Sequence, residues 1–300
     1  MRDKPVIGIL GAGLMGHGIA QVFAVAGHDV AVYDASADAL ASVQTRIRAN
    51  LLALGLDVAA ADRVRPSGVL ANAVADADLV IEAAAENLAI KQALFAEVEA
   101  HARPDAILAS NTSVIPITQI MSGLQRRGRA LGTHWWNPPF LVPLVEVVGT
   151  QWTDPACITD VIALLTAVGK TAVHVRKDVA GFIGNRLQHA LWREAISLVE
   201  QGICDAETVD IVVKASFGRR LAVLGPLENA DLVGTDLTLA IHEIVLPEIG
   251  STPGPSAYLR DLVAAGKLGM KSGEGFRTWS ADEQAELRTR LLNHLKDAAQ

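Results

Sequence analysis

Residues 5–28 pass without a single Asp, Glu, Lys or Arg, and six of these 24 residues are glycines, at 8, 11, 13, 16, 18 and 27. An uncharged run of that length is enough to span a bilayer. A spanning helix, however, has no use for Gly11, Gly13 and Gly16 at the spacing of a tight turn, or for His17, Gln21 and His28. Nor does the run read as an export leader, because Asp3 and Pro5 spoil a basic start and no small-residue cleavage site follows. The segment predicts a strand over Pro5–Leu10, a glycine turn, and a helix over Leu14–Ala26. A second strand, Asp29–Tyr33, leads into Asp34, eighteen residues after Gly16.

Within that frame Gly11-Ala12-Gly13-Leu14-Met15-Gly16 fits G-x-G-x-x-G, a pattern that means little alone and more between a strand and a helix. Gly11 permits the turn, Gly13 lets backbone approach a pyrophosphate, and Gly16 lets helix and strand pack closely. The helix start, with Leu14 and Met15, offers free N–H groups and a dipole that favours anions. Asp34 is placed to accept the adenosine ribose hydroxyls, and Ala35-Ser36-Ala37 supplies no arginine for a 2′-phosphate. The expected cofactor is therefore NAD rather than NADP. The competing structural explanation is a glycine turn that binds nothing.

Further along, strands at Asp78–Ile81, Ala106–Ala109, Leu131–His134, Leu144–Val148 and Thr171–Val175 alternate with helices at Ala37–Leu54, Ile90–Ala102 and Pro155–Val168. Such alternation builds a parallel sheet covered on both faces. Beyond Lys177–Gly181 the pattern is helical: a long segment through Ile183, Leu187, Leu191 and Leu198, then Asp205–Ala215, Leu227–Leu246, Ser256–Ala265 and Ala281–Ala298. Phe217–Arg220, Gly250–Pro255 and Gly269–Gly275 are expected loops. The fold class is α/β: an N-terminal Rossmann-type NAD-binding domain, 1–180, followed by an all-α C-terminal domain, 181–300. Half the chain is apolar and a fifth charged, which excludes disorder. A net charge of −7 without basic runs argues against nucleic-acid binding. Cys157 and Cys204 form neither a CxxC pair nor a four-cysteine zinc site, so no metal is expected and a reducing, cytoplasmic setting is.

Oxidation of a hydroxyl by hydride transfer needs a group that removes the proton. A tyrosine base with lysine four residues on is absent, since Tyr33 and Tyr258 are followed at that spacing by Ala37 and Leu262. Histidine remains. His134 stands in Gly132-Thr133-His134-Trp135-Trp136-Asn137-Pro138-Pro139, ending a strand before a double-proline turn. The strand that returns carries Glu146 within an apolar run, and a buried carboxylate needs a partner. By residue type alone, a histidine before a turn is more often structural than catalytic, and the tryptophans more often line a core or pocket. Strand, turn and returning strand would bring Glu146 beside His134.

Taken with the glycine loop and Asp34, six segments in order resemble the 3-hydroxyacyl-CoA dehydrogenase family over nearly the whole chain. The remaining five are Ile81–Leu88, Ser110-Asn111-Thr112-Ser113, His134 through Glu146, Gly181-Phe182-Ile183-Gly184-Asn185-Arg186 and Lys271–Phe276. The resemblance implies that His134 is the catalytic base and Glu146 the acid paired with it. It implies that Ser113 and Asn185 hold the substrate oxygen or the imidazole's surroundings, that Asn137 belongs to the site, and that Glu86 lies near the nicotinamide. It also implies a homodimer formed through the helical domain, a small-molecule substrate, and a place in fatty acid metabolism. The blander assignments are that Ser110–Ser113 caps a helix starting near Pro116, that Asn185 satisfies backbone at a helix start, and that Lys271–Phe276 is a turn.

Two departures bear on the substrate. Members acting on acyl-CoA carry a longer, lysine-rich segment where Arg46–Pro66 is short and holds Arg46, Arg48, Arg63 and Arg65 but no lysine. Gly218–Pro226 and the Trp135-Trp136 pair are closer to relatives that oxidise free hydroxy acids, such as gulonate or carnitine, or small pyridine carboxylates. There Arg219 or Arg220 would take a substrate carboxylate in fork geometry, unless both are simply solvated. The expectations are thus a 3-hydroxyacyl-CoA dehydrogenase, alternatively a dehydrogenase of a free hydroxy acid or small ring carboxylate, and, from another class, a non-catalytic crystallin-like relative.

Overall fold

A computed structural model describes residue 2 and residues 4–298. The strands are β1 (Ile7–Leu10), β2 (Val30–Tyr33), β3 (Val64–Ser67), β4 (Leu79–Glu82), β5 (Ile107–Ser110), β6 (Ala130–Trp135), β7 (Leu144–Gly149) and β8 (Thr171–Val175). They form one sheet in the order β3-β2-β1-β4-β5-β6-β7-β8. Every neighbouring pair is parallel except β6 and β7, which run antiparallel because only residues 136–143 join them.

Alternation along the central strands sends Ile7, Ile9, Leu79 and Ile81 to one core, and Leu10 and Val80 to the other. The first core takes α1 (Leu14–Val25) through Ile19 and Phe23, and α2 (Ala37–Ala53) through Leu40, Val43, Ile47 and Leu51. The second takes α3 (Leu70–Val74) and Phe95 and Val98 of α4 (Leu88–His101). It also takes Ile117, Ile120 and Met121 of α5 (Ile117–Met121). Val161 and Leu165 of α6 (Pro155–Ala167) return to the first core. The uncharged run near the N-terminus is thus β1 and a helix of 12 residues. Among the described residues no helix is long and apolar enough to cross a membrane.

The later helices are α7 (Gly184–Glu200), α8 (Ala206–Ala215), α9 (Pro226–Val233), α10 (Thr235–Val245), α11 (Ala257–Ala264) and α12 (Ala281–Ala298). Asp205 caps α8 by accepting from Thr208 N, and Ser280 accepts from Glu283 N at the start of α12. By packing, the chain divides into one unit of Met1–Arg186 with Leu292–Gln300 and another of Leu187–Leu291.

Three sequence expectations need correction. Leu227–Leu246 is not one helix: Gly234, at φ 106°, separates α9 from α10, a backbone angle that ends a right-handed helix. Phe217–Arg219, expected as loop, forms a short 3-10 turn. Strand β3 went unforeseen because Val-Arg-Pro-Ser has no alternating apolar pattern, and Pro66 is tolerated only because β3 lies at the sheet edge.

Candidate active site

The glycine loop sits at the carboxyl end of β1. Gly11 has φ 106°, and a Cβ there would stand 2.5 Å from the Ala83 carbonyl oxygen. A Cβ on Gly16 would fall 1.7 Å from the Gly11 carbonyl oxygen, so the first turn of α1 packs directly on the loop. At Gly13 a Cβ would meet nothing within 4 Å. No side chain caps α1, and no acidic residue occupies its first turn. The result is an uncapped helix N-terminus facing open space, with Leu14 exposed and Met15 half-buried at its start. Such an end suits an anion.

Asp34 follows β2, and its two carboxylate oxygens accept from Ala12 N at 2.7 Å and Ser36 N at 2.8 Å. Each oxygen keeps a lone pair for a ribose hydroxyl. A cavity of about 410 Å³, lined by Leu40, Gln44, Pro66 and Gly68 among others, opens beside the turn that follows. These features fit a dinucleotide whose pyrophosphate lies against α1.

On the other side of the sheet's centre, the antiparallel register sets His134 of β6 directly opposite Glu146 of β7. His134 Nδ1 lies 2.7 Å from Glu146 Oε2, with the residues 4% and 1% exposed. The other carboxylate oxygen, Oε1, accepts from Ile183 N at 2.9 Å and Gly184 N at 3.1 Å. Burial alone would push the Glu146 carboxyl up. The hydrogen bonds from His134, Ile183 and Gly184 outweigh it and hold the group below the usual glutamate value. An ionised carboxylate only accepts, so Nδ1 carries the hydrogen between them, and Nε2 is the ring nitrogen turned away from Glu146. The imidazole packs between Trp136 and Phe182, with ring centroids 5.3 and 5.5 Å away.

The two N–H groups on Glu146 come from an uncommon backbone. Gly181 and Phe182 both have positive φ, 74° and 49°, and Phe182 is the one such non-glycine among the described residues. A bulky residue in that region is strained and held there by its surroundings. Phe182 is fully buried. The next two N–H groups therefore turn toward the carboxylate.

The loop after β5 is held by acids. Glu86 Oε1 accepts from Thr112 Oγ1 at 2.6 Å and Ser113 N at 3.0 Å. Burial would raise the Glu86 pKa, but these bonds and the Lys91 charge bring it below normal. Lys91 is 1% exposed and is held at 2.7 Å by Glu82 and 3.2 Å by Glu86. Glu82 also accepts from Ser110 Oγ at 2.6 Å. Sequence reasoning missed Glu82 and Lys91 as a buried ion pair. The available signal was a carboxylate ending an apolar strand, the same signal used for Glu146.

Ser113 is exposed, and its carbonyl oxygen accepts from Asn185 Nδ2 at 3.0 Å. Asn185 therefore joins the Ser113 loop to the start of α7 instead of capping that helix. Asn111 accepts from Trp135 N at 2.9 Å, tying the same loop to β6. The helix near Pro116 is capped not by Ser110–Ser113 but by Asp178, which accepts from Ile117 N and Thr118 N. Asn137 is exposed on the β6–β7 turn. Arg219 and Arg220 are exposed at the 3-10 turn of the helical unit. Lys271–Phe276 is a turn, bridged from Gly269 to Glu274. Cys157 and Cys204 are free. Among the described residues no group of three His, Cys, Asp or Glu is placed to hold a metal ion.

Comparison with known proteins places the chain in a family. Residues 6–179 match the family described as 3-hydroxyacyl-CoA dehydrogenase, NAD binding domain, and residues 181–279 match 3-hydroxyacyl-CoA dehydrogenase, C-terminal domain. The chain belongs to the 3-hydroxyacyl-CoA dehydrogenase family. It is an NAD-dependent oxidoreductase acting on CH–OH groups. It is 33% identical to the 5-formyl-3-hydroxy-2-methylpyridine 4-carboxylate 5-dehydrogenase of Mesorhizobium japonicum, over 96% of this chain and 95% of that protein. A 3-hydroxybutyryl-CoA dehydrogenase of Mycobacterium tuberculosis is 38% identical over 91% of this chain and 98% of its own. Among solved structures, one of a 5-formyl-3-hydroxy-2-methylpyridine 4-carboxylic acid 5-dehydrogenase, described as an NAD+ dependent dismutase, superposes with a TM-score of 0.92. It shares 32% identity, with 98% of this chain and 97% of that one covered.

Proposed function

We propose that His134 is the general base of this dehydrogenase, that Glu146 is the carboxylate that steadies it, and that the substrate is a small hydroxy acid or ring carboxylate. The hydrogen-bonded imidazole–carboxylate pair carries the assignment of roles. Nε2 takes the hydroxyl proton of the substrate as C–H is broken. Glu146, already ionised, balances the imidazolium that forms, and its bonds to Ile183 N and Gly184 N keep it in place. Gly11, Gly13, Leu14, Met15, Gly16 and Asp34 would hold NAD, with Glu86 among the residues near it, and the bound cofactor would supply the hydride acceptor. Ser113, Asn137 and Asn185 orient the substrate oxygen. An aldehyde presented as its hydrate offers His134 a hydroxyl in the same way.

The choice of substrate rests on the arginines. Arg46 is turned inward to the Ala12 carbonyl, and Arg48 is paired with Asp62. Only Arg63 and Arg65 of the Arg46–Pro66 segment are left to meet a CoA phosphate. Arg219 and Arg220 are the candidates for a substrate carboxylate. The similarity to a pyridine-carboxylate dehydrogenase over almost the whole of both chains favours the same class. A 3-hydroxyacyl-CoA thioester is the second reading, favoured by the 38% identity to a 3-hydroxybutyryl-CoA dehydrogenase. In this reading the enzyme is cytoplasmic and forms a homodimer through its helical domain; the exposed apolar faces of that domain support the dimer.

His134→Gln is expected to fold and to bind NADH while losing roughly 10²–10⁴ in turnover. Full activity in that variant refutes the role. Following NADH absorbance with 3-hydroxybutyryl-CoA against a panel of free hydroxy acids and pyridine carboxylates separates the two substrate classes.

A further inference from the structure

Arg46, on α2, reaches across to the glycine loop. Its Nη2 donates to the Ala12 carbonyl oxygen, and its Nη1 lies 3.4 Å from the Gly13 carbonyl oxygen. His17, one turn into α1, brings Nδ1 to 2.8 Å from the same Gly13 oxygen. Its other nitrogen, Nε2, lies 3.4 Å from Asn50 Nδ2, and Asn50 donates to Gln21 at 3.0 Å. His17 Nδ1 is also 3.3 Å from Arg46 Nη1. Burial, with the neighbouring guanidinium, lowers the His17 pKa, so the ring is neutral. Its hydrogen sits on Nδ1 facing Gly13, and Nε2 accepts from Asn50. Arg46 Nε is buried with no hydrogen-bond partner. Leaving a guanidinium nitrogen unsatisfied is costly, so the position of the side chain is set by the loop it grips.

Trans peptide units point their C=O and N–H in opposite directions. Fixing the Ala12 carbonyl fixes the Gly13 N–H, and fixing the Gly13 carbonyl fixes the Leu14 N–H. Ala12 itself is held from both ends, its N–H by Asp34 and its carbonyl by Arg46. We propose that Arg46 is a positioning residue for the cofactor. With His17 it locks two loop carbonyls toward α2, so that the Gly13 and Leu14 N–H groups face the pyrophosphate before NAD arrives. Preorganised donors bind an anion without a further ordering cost, and the guanidinium adds a positive charge behind them. The inference rests on the NAD dependence of the family and not on the role given to His134, so either can fail alone.

The test is NADH affinity, by fluorescence titration of the full chain carrying Arg46→Met or Arg46→Lys, with thermal melting of each protein free of NADH. Losing charge-assisted bonds to two carbonyls is expected to raise the NADH Kd about tenfold in Arg46→Met. The loss falls on KM for NAD rather than on kcat. Lysine keeps the charge without the fork, so Arg46→Lys is expected to recover less than half of that loss. An unchanged Kd in Arg46→Met, even with a lowered melting temperature, overturns the proposal. So does full recovery by lysine, which would mean that charge alone acts. If the methionine variant does not fold, the lysine variant decides: a raised Kd supports the lock and a native Kd refutes it.

Discussion

The two units of the chain handle their apolar residues in opposite ways. In the first, strands β1, β4 and β5 are buried at every position, between helices on both faces. In the second, Leu262 is the one buried residue among those described. Leu227 is 80% exposed, and Leu232, Leu239 and Ile244 are also open. A cavity of about 610 Å³ within that unit is walled by Trp192, Ile196, Leu259, Phe276 and Trp279. A unit with its own core can hold a buried ion pair to tenths of an ångström, and both candidate constellations are found there. A unit that leaves leucines in water is far from its lowest free energy until something covers them. The proposed occupant is the same unit of a second copy.

Matched truncations sharpen this contrast most. Ile9→Ala, in the first core, is expected to cost about 2–4 kcal/mol in urea unfolding. Leu239→Ala, at a dilution where the chain is monomeric, is expected to cost under about 0.5 kcal/mol. Equal losses would erase the difference between the units. Sedimentation comes next: the native chain is expected to run as a dimer. A charge at an exposed leucine, as in Leu227→Lys, is expected to raise the dissociation constant at least about tenfold. A native chain that stays monomeric at high concentration would leave the second unit's exposed faces unexplained.

The smallest effect is with pH. The folded pKa of Glu146 lies below its unfolded value of about 4.3. Its stabilising contribution is therefore complete above that pH and is lost as pH falls through the folded pKa. Unfolding measured from pH 6 to pH 3 is expected to fall more steeply for the native chain than for Glu146→Gln. Parallel curves would mean that the carboxylate gains nothing from its partners.

Much of the first unit was legible because its signals are local. The glycine spacing, the strand–helix alternation and the apolar run around Glu146 all lie within a few dozen residues, and pairing β6 with β7 follows from the short turn. What escaped was set by distant or conformational facts. The N–H groups on Glu146 depend on the positive φ of Phe182, which a phenylalanine does not advertise. Arg46 looks like one more surface arginine until α2 packs beside α1. Lys91 gives no sign that it faces inward to Glu82, because α4 has no marked apolar face and its neighbour Ile90 is the exposed residue. The break at Gly234 was readable, since glycine is a poor helix former, but the apolar periodicity on both sides masked it.

The central claim is that Glu146 holds a hydrogen on His134 Nδ1 and so leaves Nε2 to exchange the substrate proton. Nitrogen-15 NMR of histidine-labelled protein measures this directly, with the His134 signals assigned by the His134→Gln variant. The account predicts a proton on Nδ1, hydrogen-bonded to the carboxylate. Glu146→Gln should disturb that signal. An Nδ1 that carries no proton in the native protein would contradict the account.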